Sequence, residues 1–167
     1  MHTRIFMIFV FLIAPVSKAS EHWDSEANMR SAISAFQGTQ RSRGNEAVVR
    51  ETNKCYRDAI KERKLTKALE YCIAFDVTNI EITTSFYEAM AKKYKIPPGS
   101  SLQPEETTRE AGSERIVSNL SLAGVESPKV IAKDIYYKTS KILSEVLLQN
   151  QERSNSSLQG TPASGRP

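Results

Sequence analysis

Apolar residues recur along this chain at helical spacing and divide it into five amphipathic stretches. In 45–62 they come as pairs, Val48/Val49, Cys55/Tyr56 and Ala59/Ile60. From Leu65 the pattern resumes with Ala68/Leu69 and Cys72/Ile73, and it carries on through Ile80, Phe86/Tyr87 and Met90 to Tyr94. Arg63 and Lys64 lie between these two arms, which therefore read as an antiparallel helical hairpin. Residues 77–84 are rich in β-branched side chains, and Ile80-Glu81-Ile82 alternates like a strand. A lone strand would have no partner elsewhere, so helix is expected, with a bend or break at 77–79.

The first stretch, 20–37, carries Trp23, Ala27, Met29, Ala32, Ile33 and Phe36. Gly38-Thr39-Gln40 predicts its stop, and 41–44 a connection. Pro97-Pro98-Gly99 excludes helix from 95–103. Pro104, with Glu105 and Glu106 behind it, predicts a helix start that runs to about Ala123, where Gly124 ends it. Ser127-Pro128 predicts a second start, with Ile131, Ile135, Ile142 and Val146 on one stripe and an end near Asn150. Residues 151–167 have no apolar period and are expected to be a disordered tail. No internal repeat is visible. The fold class expected is all-α, a bundle of about five helices forming one domain over 20–150.

Residues 1–19 read as a signal peptide. Arg4 precedes an apolar run, and Ser17-Lys18-Ala19 supplies the small-x-small cleavage pattern, so the mature chain is expected to start at Ser20. No later stretch approaches the ~20 apolar residues a membrane span requires. The expected compartment is the periplasm, with secretion to the extracellular space as the alternative. Both are oxidising, and Cys55 and Cys72 are the only cysteines.

These cysteines lie about equally far from the Arg63-Lys64 turn, so an antiparallel hairpin sets them side by side. A disulfide needs Cα atoms about 4.4–6.8 Å apart, closer than the ~8–10 Å usual between packed helices. Ala59 and Ala68, one turn nearer the tip, provide small residues for that approach. Two buried free thiols would be the alternative. The loop between the cysteines holds 16 residues, and closing it is worth about 3 kcal/mol in the chain-entropy model.

Net charge is +4, but the leader carries Arg4 and Lys18 and no acid, which leaves 21 bases against 19 acids. This near-balance speaks against nucleic-acid binding. The bases are concentrated, however. Lys61, Arg63, Lys64 and Lys67 make the hairpin tip a positive end. It suits weak contact with an anionic surface or an acidic partner; the plainer reading is a solvated turn.

Catalytic chemistry is sparse. His22 is the only histidine after the leader and lies near the mature terminus, where nothing holds it for nucleophilic catalysis. One histidine and two bridged cysteines do not make a zinc set, and no phosphate-cradling glycine loop is present. Glu105, Glu106 and Glu110 read as first-turn acids rather than a catalytic pair. Asp76 falls on the apolar side of its helix. It is expected to cap a segment starting at Thr78, a buried acid with a partner being the alternative. Trp23 is expected to be a lid on the core. Asn119 and Asn155 each begin an Asn-x-Ser triplet.

The expected function is that of a non-catalytic interaction protein, an adaptor or inhibitor, with an unknown protein partner, no cofactor and no metal. The alternative is a carrier of small apolar ligands, with Phe75, Phe86, Tyr87, Met90, Tyr136 and Tyr137 lining a gap between helices.

Overall fold

In the computed structural model, which describes residues 22–97 and 102–159, four α-helices form the molecule. They are α1 (Ser25–Ala59), α2 (Lys67–Lys93), α3 (Arg109–Leu122) and α4 (Pro128–Gln159), with short 3-10 turns at Ile60–Glu62 and Glu105–Thr107. The predicted leader, 1–19, lies outside the described residues.

The helix count is four rather than five because the first two stretches are one bent rod. Asp24 caps α1 by accepting from the Ala27 amide at 3.0 Å. The helix then runs through Gly38-Thr39-Gln40, where a stop was predicted. Thr39 is buried there, and the Ser42 hydroxyl donates back to the Gly38 carbonyl at 2.7 Å. The interruption comes at Gly44, the last residue of the predicted connection, with φ +75° and ψ −176°. That backbone region is essentially reserved for glycine.

The predicted break at 77–79 is absent, and α2 is continuous. Thr66 caps it by accepting from the Leu69 amide at 3.1 Å. From Cys72 to Thr78 every residue is buried, so α2 is the central helix, packed against α1, α3 and α4. Burial of Val77, Thr78 and Ile80 on its neighbours outweighs their weak helix propensity. Thr78 donates to the Ala74 carbonyl at 2.8 Å and so meets its own hydroxyl's needs.

Pro104 precedes only a 3-10 turn. The start of α3 belongs to Thr108, which accepts from the Ala111 amide. Gly112 of α3 leaves no room for a side chain, since a Cβ there would stand 2.2 Å from Ile80 Cδ1. Gly124 follows α3 in the left-handed region and Pro128 opens α4, both as predicted, but Ser127 ahead of it has φ +53° rather than the extended conformation of a capping serine. The end of α4 is Gln159 rather than Asn150. Residues 151–156 are exposed, so this last stretch is helical without packing on the core. The rest of the predicted tail, 160–167, lies outside the described residues.

The core is filled. Met29, Ile33 and Phe36 of α1 meet Leu69, Ile73 and Ile80 of α2, with Ile116, Leu120 and Ile135 from the other two helices. Phe36 and Phe75 pack edge to face, centroids 5.7 Å apart.

Candidate functional site

The hairpin end is the part of the fold that the sequence marks out. Cys55 and Cys72 are bonded, with Cα atoms 5.6 Å apart. Ala59 is buried in the seam, whereas Ala68 is exposed. The small residue at 59 is therefore the one that lets the backbones close up. The bridge clamps α1 to α2 just above the turn, where Arg63 takes a left-handed conformation.

The predicted basic cluster is assembled and fully exposed, but its members are not equivalent. Lys61 is held by Asp58 at 2.8 Å, which keeps the Asp58 carboxyl below its ordinary value. Arg63, Lys64 and Lys67 have no acidic partner within ion-pair distance among the described residues. Beside them runs an open groove of about 890 Å³, with the disulfide in its wall. Its cations are Lys54, Lys64 and Lys67; its acids are Glu51, Asp58 and Glu62. The groove is thus amphoteric, while the turn beyond it is positive.

The far wall of the groove is fixed by a buried acid that sequence reasoning missed. Glu70 is 4% exposed and accepts from Trp23 Nε1 at 2.7 Å, Ser25 Oγ at 2.7 Å and Asn28 Nδ2 at 2.9 Å. Asn28 also donates to the Lys67 carbonyl. Three neutral donors solvate the carboxylate and tie the start of α1 to the first turn of α2. Trp23 is accordingly a hydrogen-bonded tether and not merely a lid. A partly buried indole N–H needs an acceptor, and that was the available signal.

Asp76 is a buried acid with a partner, not the expected cap. It is 0% exposed and receives a two-pronged bond from Arg115, 3.0 Å from Nε and 2.8 Å from Nη2. The Tyr56 hydroxyl donates to it at 3.1 Å. Burial, then the adjacent Asp76 charge, pushes the Tyr56 phenol well up, and the bond to Asp76 raises the Arg115 guanidinium. The group joins α1, α2 and α3 through one carboxylate.

A third acid cluster lies further along α2. Glu81 accepts from Arg109 Nε and Nη2, both at 3.1 Å, and from the Tyr136 hydroxyl at 2.5 Å. Arg109 also reaches Glu88 at 3.0 Å. Burial alone would raise the Glu81 carboxyl, but the bonds from Arg109 and Tyr136 outweigh it and hold the group low. Burial and then Glu81 push the Tyr136 phenol up.

In each of these clusters fixed donors from the chain occupy the carboxylate oxygens. Glu105, Glu106 and Glu110 are exposed. Among the described residues no group of three or more His, Cys, Asp or Glu could hold a metal ion. Of the residues expected to line a ligand gap, Tyr136 and Tyr137 both line a groove between α3 and α4, and the others lie apart. Phe75 packs on Phe36, Phe86 and Tyr87 pack on each other, and Tyr137 is 71% exposed. Asn119 donates to the Arg115 carbonyl within α3, and Asn155 is exposed on α4.

Comparison with known proteins adds no relative: no family model matches the chain, and neither a curated protein nor a solved structure does.

Proposed function

We propose that this is an exported, non-catalytic interaction protein that engages an acidic partner through its disulfide-clamped hairpin end. The observation that carries the reading is the trio Arg63, Lys64 and Lys67, which has no acidic ion-pair partner among the described residues. Arg63 and Lys64 lie in the turn and Lys67 begins α2, beside the disulfide and the Glu70 hydrogen bonds that join α1 to α2. Preorganised charge raises association rate and selectivity, because little ordering entropy is lost on contact. The amphoteric groove alongside gives a partner both signs of charge to read.

Export is part of the proposal. It is supported by the leader-like residues 1–19 and by the disulfide, which belongs to an oxidising compartment. No described helix is long and apolar enough to cross a membrane.

The test compares the wild-type protein with the triple variant Arg63→Glu, Lys64→Glu, Lys67→Glu in crosslinking to an envelope fraction. A control reverses Lys92, Lys93 and Lys95, at the other end of the hairpin. A crosslinked species lost in the first variant and kept in the control is expected. Equal crosslinking by all three proteins refutes the assignment of this surface. N-terminal sequencing of the native protein is expected to begin at Ser20.

A further inference from the structure

A second groove, remote from the hairpin end, runs between α3 and α4 with a volume of about 450 Å³. That is within the range of small-ligand sites, roughly 300–1,000 Å³. Its body is apolar: Ile116 and Val117 from α3, Ala132 and the ring of Tyr136 from α4. Four α4 residues that line it, Lys129, Lys133, Tyr136 and Ser140, follow the i, i+4, i+7, i+11 spacing of one helix face. At 1.5 Å per residue this stripe is about 16 Å long.

The stripe is polarised. Lys129 and Lys133 stand at one end, and neither has an acidic partner among the described residues. The acids close by are already engaged. Asp134, which lines an adjoining depression, is held by Lys138 at 2.7 Å, and Glu81 behind Tyr136 by Arg109. At the other end Ser140 lines the floor with only a small side chain. The apolar surface continues outward over Tyr137 and Val130, which are 71% and 67% exposed.

From these features we infer that the α3–α4 groove binds a single anionic amphiphile of the fatty-acid type. Its carboxylate lies between Lys129 and Lys133, and its chain lies along Ala132 and Tyr136 toward Ser140. Charge complementarity selects the anion, and the length of the stripe matches a chain of about twelve carbons. The inference does not depend on the hairpin end, whose residues are all different.

The probe is dodecanoate at concentrations below its micelle threshold, followed by titration calorimetry and by methyl NMR shifts of Ile116, Val117 and Ala132. Saturable one-to-one binding with shifts confined to that groove is expected. Dodecanol should bind about tenfold more weakly, the combined worth of two exposed charge contacts, and dodecyltrimethylammonium, which both lysines repel, more weakly still. The double variant K129E/K133E, on exposed positions, replaces attraction by repulsion and should lose more than that factor for dodecanoate while its melting curve is unchanged. Ser140→Leu, which fills the floor, should abolish binding, its fold being checked by circular dichroism. Absence of saturable binding overturns the proposal. So does equal affinity for the neutral or cationic analogue, or dodecanoate affinity unchanged in K129E/K133E. Association with anionic vesicles alone, without binding of the monomeric acid, also overturns it and assigns the lysines to a membrane surface instead.

Discussion

Arg115 is a residue whose removal does more harm than its own contacts suggest. It keeps 30% of its side chain exposed, yet its partner Asp76 has no exposure at all. Arg115→Leu would strand a buried carboxylate with only Tyr56 for company. The expected loss is about 3 kcal/mol in urea unfolding, at the low end for a broken buried pair because water can still reach this one. Adding Asp76→Leu should restore much of that, since an apolar pair of similar volume removes the desolvation cost. Two glycines act through opposite causes. Gly112→Ala meets Ile80 in a packed seam. It should cost about 1–3 kcal/mol from overpacking, less up to ~1 kcal/mol regained in helix propensity. Gly44→Ala meets no neighbour, and its cost of about 1–3 kcal/mol is backbone strain alone. Calorimetric melting of the two variants checks both. If Gly44→Ala melts with the wild type, the bend at 44 is not required.

The hairpin is the element on which stability most depends. Reducing Cys55–Cys72, or replacing both cysteines by serine, releases a loop whose closure is worth about 3 kcal/mol. For a chain of this size the melting temperature should fall by roughly 6–12 °C. A smaller shift would mean that the Glu70 tether and the α1–α2 core already hold the arms in register. Much of this element could be read in the sequence, because its determinants are local: the turn at Arg63-Lys64 and two cysteines equally spaced from it. What escaped were the long-range partners. Glu70 finds its donors 42 to 47 residues away, and Asp76 finds Arg115 at a distance of 39. No periodicity within α2 shows which distant side chain will arrive. Over 72–78, where α2 is buried on every face, no polar stripe is present from which its orientation could be inferred.

For the whole molecule, pH dependence follows from the shifted groups. Glu81 is depressed in the folded state, so its contribution is present above the ordinary glutamate value of ~4.3 and is lost as pH falls through the lower folded value. Tyr56 and Tyr136 are raised, so their contribution is complete below the ordinary tyrosine value of ~10 and is lost as pH rises beyond it. Urea unfolding should therefore show a stability plateau bounded by an acid and an alkaline limb. Tyr136→Phe should shrink the alkaline limb while lowering the plateau by about 1 kcal/mol. An alkaline limb unchanged in this variant would place the titration elsewhere. Reversing the exposed charges at Arg63, Lys64 and Lys67 should leave the melting temperature within about 2 °C, as surface substitutions do.

By itself the sequence determined the helical class, the hairpin, its crosslink, the start of α4 and the exposed basic turn. Each of these follows from residue spacing, a proline at a helix start or a local turn. Tertiary structure alone decided that Thr39 carries α1 past its apparent stop and that 77–79 stays helical. It alone made Asp76 half of an ion pair and set Lys129 and Lys133 at the end of an apolar groove. The reason is common to all of them. Burial against a neighbouring helix is worth more than local preference, and the identity of that neighbour is not written in the stretch it covers.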